Sequence, residues 1–113
     1  MSDAKTVFHH ILDGTLPSTV VFEDANVLAI NDIHPKAPLH LLFIPKLAHA
    51  VASIIDCHGN KAHVPGMLIE AARQFATQQG IDGYKLQFNV GPKGGQEVMY
   101  LHLHFLSDQA LGQ

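Results

Sequence analysis

The segment from Gly94 to Leu106 constrains the fold of this chain more than any other stretch. Alternate side chains of an extended segment point to opposite faces of a sheet. One face would carry the apolar residues Met99, Leu101, Leu103 and Phe105. The other face would carry Val98, Tyr100, His102 and His104. The sequence therefore predicts a β-strand that packs on the core through one face and presents two imidazoles on the other.

Hydrophobic periodicity predicts two helices and four more strands. Apolar residues recur at helical spacing over residues 6–13 and again over residues 64–80. Further strands are predicted at residues 19–23, 27–31, 40–44 and 84–89, and the almost wholly apolar third one should be central. The signal at residues 46–61 is weak and indicates only a short helical turn. Hairpin-linked strands with helices between them predict an α+β fold with a five-stranded antiparallel meander sheet, one long helix and one or two short helices.

The length and composition indicate a single domain. The chain has 113 residues, of which 47% are hydrophobic, so we expect residues 1–113 to share one core. The formal net charge is -3 and there is no basic run, which argues against a nucleic-acid partner and against attraction to a membrane. Cys57 is the only cysteine, and neither a signal-peptide pattern nor a membrane-spanning apolar run is found. We therefore expect a cytoplasmic protein.

His102 and His104 by themselves leave three interpretations open. Two imidazoles on one strand face can bind a metal ion, act as a nucleophile with an acid–base partner, or form structural hydrogen bonds. A zinc site needs further ligands, and the thiol of Cys57 has no Cys-x-x-Cys partner, so we predict no metal and no other cofactor. A neutral imidazole is a competent nucleophile at phosphorus, and a second imidazole two residues along could protonate a nitrogen leaving group.

Two segments, DIHPKAPLHLLFIPK at residues 32–46 and GGQEVMYLHLHF at residues 94–105, resemble the histidine triad (HIT) superfamily. The likeness is closest to the nucleotide-binding branch of that family and extends over nearly the whole chain. It implies a HIT-like fold and a homodimer that binds purine nucleotides. It also implies a hydrolase acting on nucleoside phosphoramidates, such as adenosine monophosphate joined through nitrogen to an amine or to lysine.

The resemblance implies roles for three histidines. His102 stands at the position of the nucleophile, which attacks the α-phosphorus and forms a nucleotidyl-histidine that water then hydrolyses. His104 stands where the family contacts the phosphate and helps to protonate the leaving group, and His40 matches an additional histidine from an earlier strand. Tyr100 occupies the place of the first histidine of the triad. We expect its hydroxyl group to form a hydrogen bond with His40 and catalysis to persist in weakened form, because a phenol with a pKa of about 10 cannot act as an imidazole.

The resemblance also implies a nucleotide site. Asp32 stands where the family binds the ribose hydroxyls, and the alternative is an aspartate that caps its turn. The residues expected near the phosphate or the leaving group are Asn89, Gln96 and Glu97. Asn89 could equally cap a turn, and Glu97 could be a solvated carboxylate. The apolar pocket for the base would consist of Val7, Phe8, Ile11, Ile30 and Ile33, which could also be simply core.

Two other functions stay open at this point. Loss of the first histidine is also consistent with a nucleotide-binding dimeric module that is catalytically weak or inactive. A related branch of the family cleaves dinucleoside polyphosphates. His9 stands where some relatives carry a zinc-binding cysteine, and because both thiols of that site are absent we predict no structural zinc.

Overall fold

The computed structural model describes residues 5–111, which form an antiparallel sheet and two helices. The strands are β1 Val20–Glu23, β2 Val27–Asn31, β3 Leu39–Pro45, β4 Lys85–Gln87 and β5 Leu103–Ser107. The helices are α1 Val7–Leu12 and α2 Val64–Gln79, and single 3-10 turns lie at Leu47–His49, Ile54–Asp56, Gly59–Lys61 and Pro92–Gly94. The predicted α+β fold, with five antiparallel strands, one long helix and one short helix, is confirmed.

The order of the strands across the sheet is β1-β2-β3-β5-β4. The first three strands meander as predicted, and β3 is central, with all seven of its residues buried. A complete meander would place β4 beside β3. Instead α2 carries the chain across the sheet to an outer position, so that β5 returns between β3 and β4 and pairs with both.

The histidine segment forms a much shorter strand than its alternation predicts. Only Leu103–Ser107 belongs to β5, and Met99 is 44% exposed although it was expected in the core. The preceding residues leave the sheet because other partners hold them: the amide of Leu101 donates to the carbonyl oxygen of Val51, outside any strand. The alternation of faces holds from Tyr100 to Ser107, since Leu101 joins the core cluster of Leu103 and Phe105 and Tyr100 joins a different cluster, and it fails at Met99.

Helix α2 covers one face of the sheet and forms the larger core. The ring of Phe75 contacts the rings of Phe43 in β3 and Phe105 in β5, with centroids 5.9 and 5.8 Å apart. Pro65 fits the first turn of α2, where no intrahelical donor is needed. The helix ends at Gly80, whose φ of 69° favours glycine. No helix in the described part of the chain is long and apolar enough to cross a membrane.

Helix α1 lies against the opposite face of the sheet. Thr6 caps this helix in a capping box with His9, and Phe8 is buried in a second cluster with Leu28, Ile30, Leu42, Ile44 and Tyr100. On this face the register aligns side chains in rows across three strands. His40 of β3, Leu106 of β5 and Lys85 of β4 form one row, and Leu42, His104 and Gln87 form the next.

Candidate active site

A cavity of about 650 Å³ lies over the face of the sheet that α2 leaves free. It extends from α1 and β2, across β3 and β5, to β4 at the edge of the sheet. The residues that line the cavity include Phe8, Ile11, Ile30, Ile33, Asp32, His40, His102, His104, Lys36, Lys85, Gln87, Asn89, Gly95, Glu97 and Val98. The fold therefore collects polar side chains from four strands and two loops in one depression.

His102 lies just before β5 and is held in one tautomer by the main chain. Its Nδ1 is 2.7 Å from the carbonyl oxygen of Tyr100. Because a carbonyl oxygen only accepts, Nδ1 carries the proton and Nε2 is left with a free lone pair. The ring is 9% exposed and packs edge-on against Phe8, with centroids 5.1 Å apart. Burial lowers the pKa of His102, and the Tyr100 carbonyl opposes that shift, so the neutral and nucleophilic form is favoured.

His40 and His104 form a second hydrogen-bonded pair whose tautomers are also determined. The amide of Lys36 donates to Nδ1 of His40 over 3.0 Å, so the proton of His40 lies on Nε2. This Nε2 is 3.0 Å from Nδ1 of His104 and 3.3 Å from Oδ2 of Asp32. His104 therefore accepts at Nδ1 and carries its own proton on Nε2. Burial, with the neighbouring His102 and His40, lowers the pKa of His104 to about 4.

Asp32 caps its turn and also faces His40. Its Oδ1 accepts from the amide of His34 over 2.8 Å, as a turn-capping aspartate does, while its Oδ2 faces His40. The apolar residues expected around a base all line the cavity beside it. Phe8 and Ile30 are buried there, whereas Ile33 is 85% exposed at the rim. The structure thus brings together an acidic group and an apolar wall at the α1 and β2 end of the cavity.

Of the three residues expected near a phosphate, two line the cavity and one does not. Asn89 lines the cavity, and its Nδ2 donates to the carbonyl oxygen of Gly94 over 2.9 Å, so the turn-capping alternative also applies to it. Glu97 is exposed and lines the cavity as well. Gln96 does not line it and is 5% exposed.

The amide group of Gln96 is occupied by internal hydrogen bonds. Its Oε1 accepts from Oγ of Ser53 and from the amide of Gly91, and its Nε2 donates to the carbonyl oxygens of Ala52 and Val98. Gln96 therefore ties the turn before the histidine segment to the loop after β3. In this arrangement Gln96 stabilises the loops beside the cavity and does not line the cavity itself.

Comparisons with known proteins find relatives that match nearly the whole chain. A family model described as "Scavenger mRNA decapping enzyme C-term binding" matches residues 5–113. The chain is 37% identical over 110 residues to the purine nucleoside phosphoramidase of Escherichia coli (strain K12), covering 96% of this chain and 91% of that protein. It is 36% identical over 111 residues to adenylylsulfatase HINT1 of Arabidopsis thaliana, covering 97% and 76%.

A solved structure, that of a HIT family hydrolase from Legionella pneumophila Philadelphia 1, superimposes with a TM-score of 0.84 at 42% identity, covering 93% of this chain and 94% of that one. The chain belongs to the histidine triad family of hydrolases. The resemblance noted in the sequence, including the HIT-like fold and the nucleotide-binding branch, is confirmed.

Tyr100, at the first position of the HIT triad, does not contact His40, and that expectation was wrong. Its hydroxyl group donates to the carbonyl oxygen of Pro45, and its side chain is 1% exposed beneath α1. The ring packs edge-on against His9, with centroids 4.8 Å apart. Burial raises the pKa of the phenol, so it stays protonated. Tyr100 lies on the α1 side of the sheet, as His104 does, but its side chain packs with Ile44 near the Pro45 end of β3, whereas His40 lies near the other end of that strand.

Two lysines of this HIT protein, Lys36 and Lys85, line the cavity but were not among the residues expected in the site. Gln87, which pairs with His104, was also missed. The signal was present in the sequence, because Lys85, Gln87 and Asn89 alternate with the apolar residues of β4. This alternation indicated that the three side chains share one face of a strand. Only the pairing of β4 with β5 places that face beside the histidines.

Within residues 5–111, one group of side chains could hold a metal ion, namely Asp32, His40 and His104, whose donor atoms lie within 4.8 Å of one another. The hydrogen bonds of His40 do not fit this use. A metal on Nε2 would move the single proton of the neutral ring to Nδ1, where the Lys36 amide already donates. His9, at the family's zinc position, uses its Nδ1 to accept from the amide of Thr6. These donors suit hydrogen bonding better than metal ligation.

Proposed function

We propose that this HIT protein is a nucleoside phosphoramidase in which His102 forms a covalent nucleotidyl-histidine. The observation that carries the proposal is the 2.7 Å hydrogen bond between Nδ1 of His102 and the carbonyl oxygen of Tyr100. It leaves the Nε2 lone pair free on a buried, neutral ring that lines the cavity. A second histidine with a protonated Nε2, His104, lies beside it with ring centroids 5.1 Å apart.

The reaction would proceed in two displacements at phosphorus. Nε2 of His102 attacks the α-phosphorus, the P–N bond breaks, and the amine takes a proton from His104 as it leaves. The pKa of His104 is about 4 in the free protein, and a bound phosphate anion raises it, which favours the protonated ring when substrate is present. Water then attacks phosphorus and gives a proton to His104, the P–N bond to His102 breaks, and a nucleoside monophosphate is released.

The cavity suggests how the substrate would lie. The base would contact Phe8 and Ile30, and the ribose hydroxyls would donate to Asp32, at the α1 and β2 end. None of the hydrogen bonds recorded within residues 5–111 uses the amides of Glu97 and Val98, and both residues line the cavity, so these amides are candidate donors to the phosphate. The leaving group would then extend toward β4.

We extend the proposal to a homodimer. β4 is an edge strand of the sheet, and an uncovered edge favours pairing with another chain. Tyr84 next to it is 37% exposed, and Ile69 of α2 is 42% exposed. Location in the cytoplasm, a single domain and the absence of a nucleic-acid partner stay predictions from composition.

The proposal is tested with adenosine 5′-phosphoramidate of a reporter amine. We expect release of the amine and of AMP, a nucleotidyl adduct on His102 in rapidly quenched samples analysed by mass spectrometry, and loss of both in His102→Ala. Binding of AMP without turnover would favour the non-catalytic module. Faster cleavage of a diadenosine polyphosphate than of the phosphoramidate would favour the polyphosphate hydrolase. The oligomeric state is measured by sedimentation over a range of concentrations.

A further inference from the structure

We propose that Lys85 selects the leaving group, because its ammonium group binds an anionic substituent on the amine that departs from phosphorus. The inference rests on the proposed function for the direction in which the substrate lies. The chemical class it names is an adenosine phosphoramidate whose amine carries a carboxylate, sulfonate or phosphate group.

The strand register places Lys85 next to the reacting histidines. On β4, Gln87 is paired with His104 and Lys85 is paired with Leu106. Directly opposed residues of two strands share a face, so Lys85 is the diagonal neighbour of His104 on the cavity side. Such neighbours are about 7–8 Å apart between Cα atoms, a distance that a long side chain can reach across. The ammonium group of Lys85 can therefore approach a group held at His104.

The layout of the cavity assigns Lys85 to the leaving-group end. The apolar wall and Asp32 occupy the α1 and β2 end, and His102 and His104 lie between that end and β4. A substrate with its nucleoside at the first end and its phosphorus at His102 must direct its remaining substituent toward β4. Of the two lysines that line the cavity, Lys36 belongs to the loop between β2 and β3, so Lys85 is the cation of the β4 end.

The charges around Lys85 leave it available to a ligand. Lys85 takes part in none of the ion pairs formed within residues 5–111, and it is exposed. Among the residues that the structure describes, the carboxylates that line the cavity belong to Asp32, which faces His40, and to Glu97, which lies on the segment before β5. An ammonium group at the mouth of a cavity without a paired carboxylate favours an anion.

The experiment compares two substrates that differ in one charge, the adenosine phosphoramidates of 4-aminobutyrate and of 4-aminobutyramide. We expect Lys85→Gln to lower kcat/KM for the carboxylate substrate by about fivefold, the upper range for an exposed ion pair, and to leave the amide substrate within twofold. Lys85→Glu should lower kcat/KM for the carboxylate substrate further, because it places a negative charge beside the carboxylate. The preference should weaken as salt is added, because salt screens an exposed ion pair. Lys93→Gln, in the turn outside the cavity, is the matched control.

A binding measurement separates this inference from the proposed function. Dissociation constants of both phosphoramidates are measured by calorimetry with His102→Ala, with and without Lys85→Gln. If the protein with His102 turns over neither compound, but Lys85→Gln weakens binding of the carboxylate compound to His102→Ala, the phosphoramidase proposal fails. The binding role of Lys85 then stands. Suppose instead that both compounds are turned over, and that Lys85→Gln changes neither the ratio of their kcat/KM values nor the ratio of their dissociation constants. The role of Lys85 is then refuted and the phosphoramidase proposal stands. No binding of either compound refutes both.

Discussion

The hydroxyl group of Tyr100 donates a hydrogen bond to the carbonyl oxygen of Pro45, the last residue of β3. The carbonyl group of the same tyrosine accepts from Nδ1 of His102. Tyr100 thus connects the end of the central strand to the candidate nucleophile. Any residue supplies a main-chain carbonyl, so tyrosine in place of the first HIT histidine does not remove the contact that orients His102.

Tyr100→Phe removes one hydroxyl group and leaves the carbonyl oxygen of Pro45 without its donor. We expect the free energy of unfolding to fall by about 1–2 kcal/mol, the usual cost of an unpaired buried acceptor. Phosphoramidase activity should fall much less than in His102→Ala, because the carbonyl of residue 100 remains. Urea denaturation measures the first quantity. Tyr84→Phe, at a 37% exposed residue, is the control, and equal stability of the two variants would contradict the argument.

On acidification, kcat/KM should fall with a midpoint that lies below the pKa of an ordinary histidine. His102 must be neutral to attack phosphorus, and burial lowers its pKa below the usual 6.5. On the acidic side of the profile, kcat/KM should therefore rise with pH through an apparent pKa below that value. Initial rates in constant-ionic-strength buffers give this limb, and a midpoint above 6.5 would show that His102 is not the group that titrates.

The stability of the fold should also depend on pH. The pKa of His104 is about 4 in the folded protein and 6.5 in its ordinary state, so the unfolded chain binds more protons between these values. Where the unfolded state binds more protons, stability rises with pH. The urea midpoint should therefore increase from pH 4 to pH 6.5, and His104→Asn should make that increase smaller. An equal increase in both proteins would assign the effect to other groups.

Gly95 and Gly94 offer a matched pair of substitutions in the turn before the histidines. Gly95 has a φ of 88°, and a Cβ there would lie 3.3 Å from Nδ2 of Asn89, whereas nothing lies within 4 Å of a Cβ at Gly94. We expect Gly95→Ala to lower the free energy of unfolding by about 1–2 kcal/mol, the cost of a left-handed backbone for alanine. Thermal unfolding measures the change.

The same two variants test whether the turn supports the site. Gly95→Ala should also lower nucleotide affinity, because Asn89 must shift, and Gly94→Ala should change neither property. Comparable losses in both variants would show that the turn tolerates no side chain at all, independently of Asn89. Calorimetric titration with AMP gives the affinities.

Local patterns in the sequence were sufficient for the helices and most strands. The caps and periodicity of α1 and α2 and the apolar run of β3 depend on residues close in the chain, and the structure agrees with them. The HIT motif likewise identified the histidines that meet in the cavity. The alternation before β5 failed at Met99, because the loop after β3 holds that segment away from the sheet.

The sequence by itself determined the fold class through its local periodicity, and the family and the three histidines through the resemblance of two segments to the HIT family. Only the tertiary structure decided which partner each polar group takes: Pro45 and not His40 for Tyr100, internal carbonyls for Gln96, and the neighbourhood of His104 for Lys85. These choices depend on β5 entering between β3 and β4. Contacts between residues far apart in the chain set that order, and no local pattern records it.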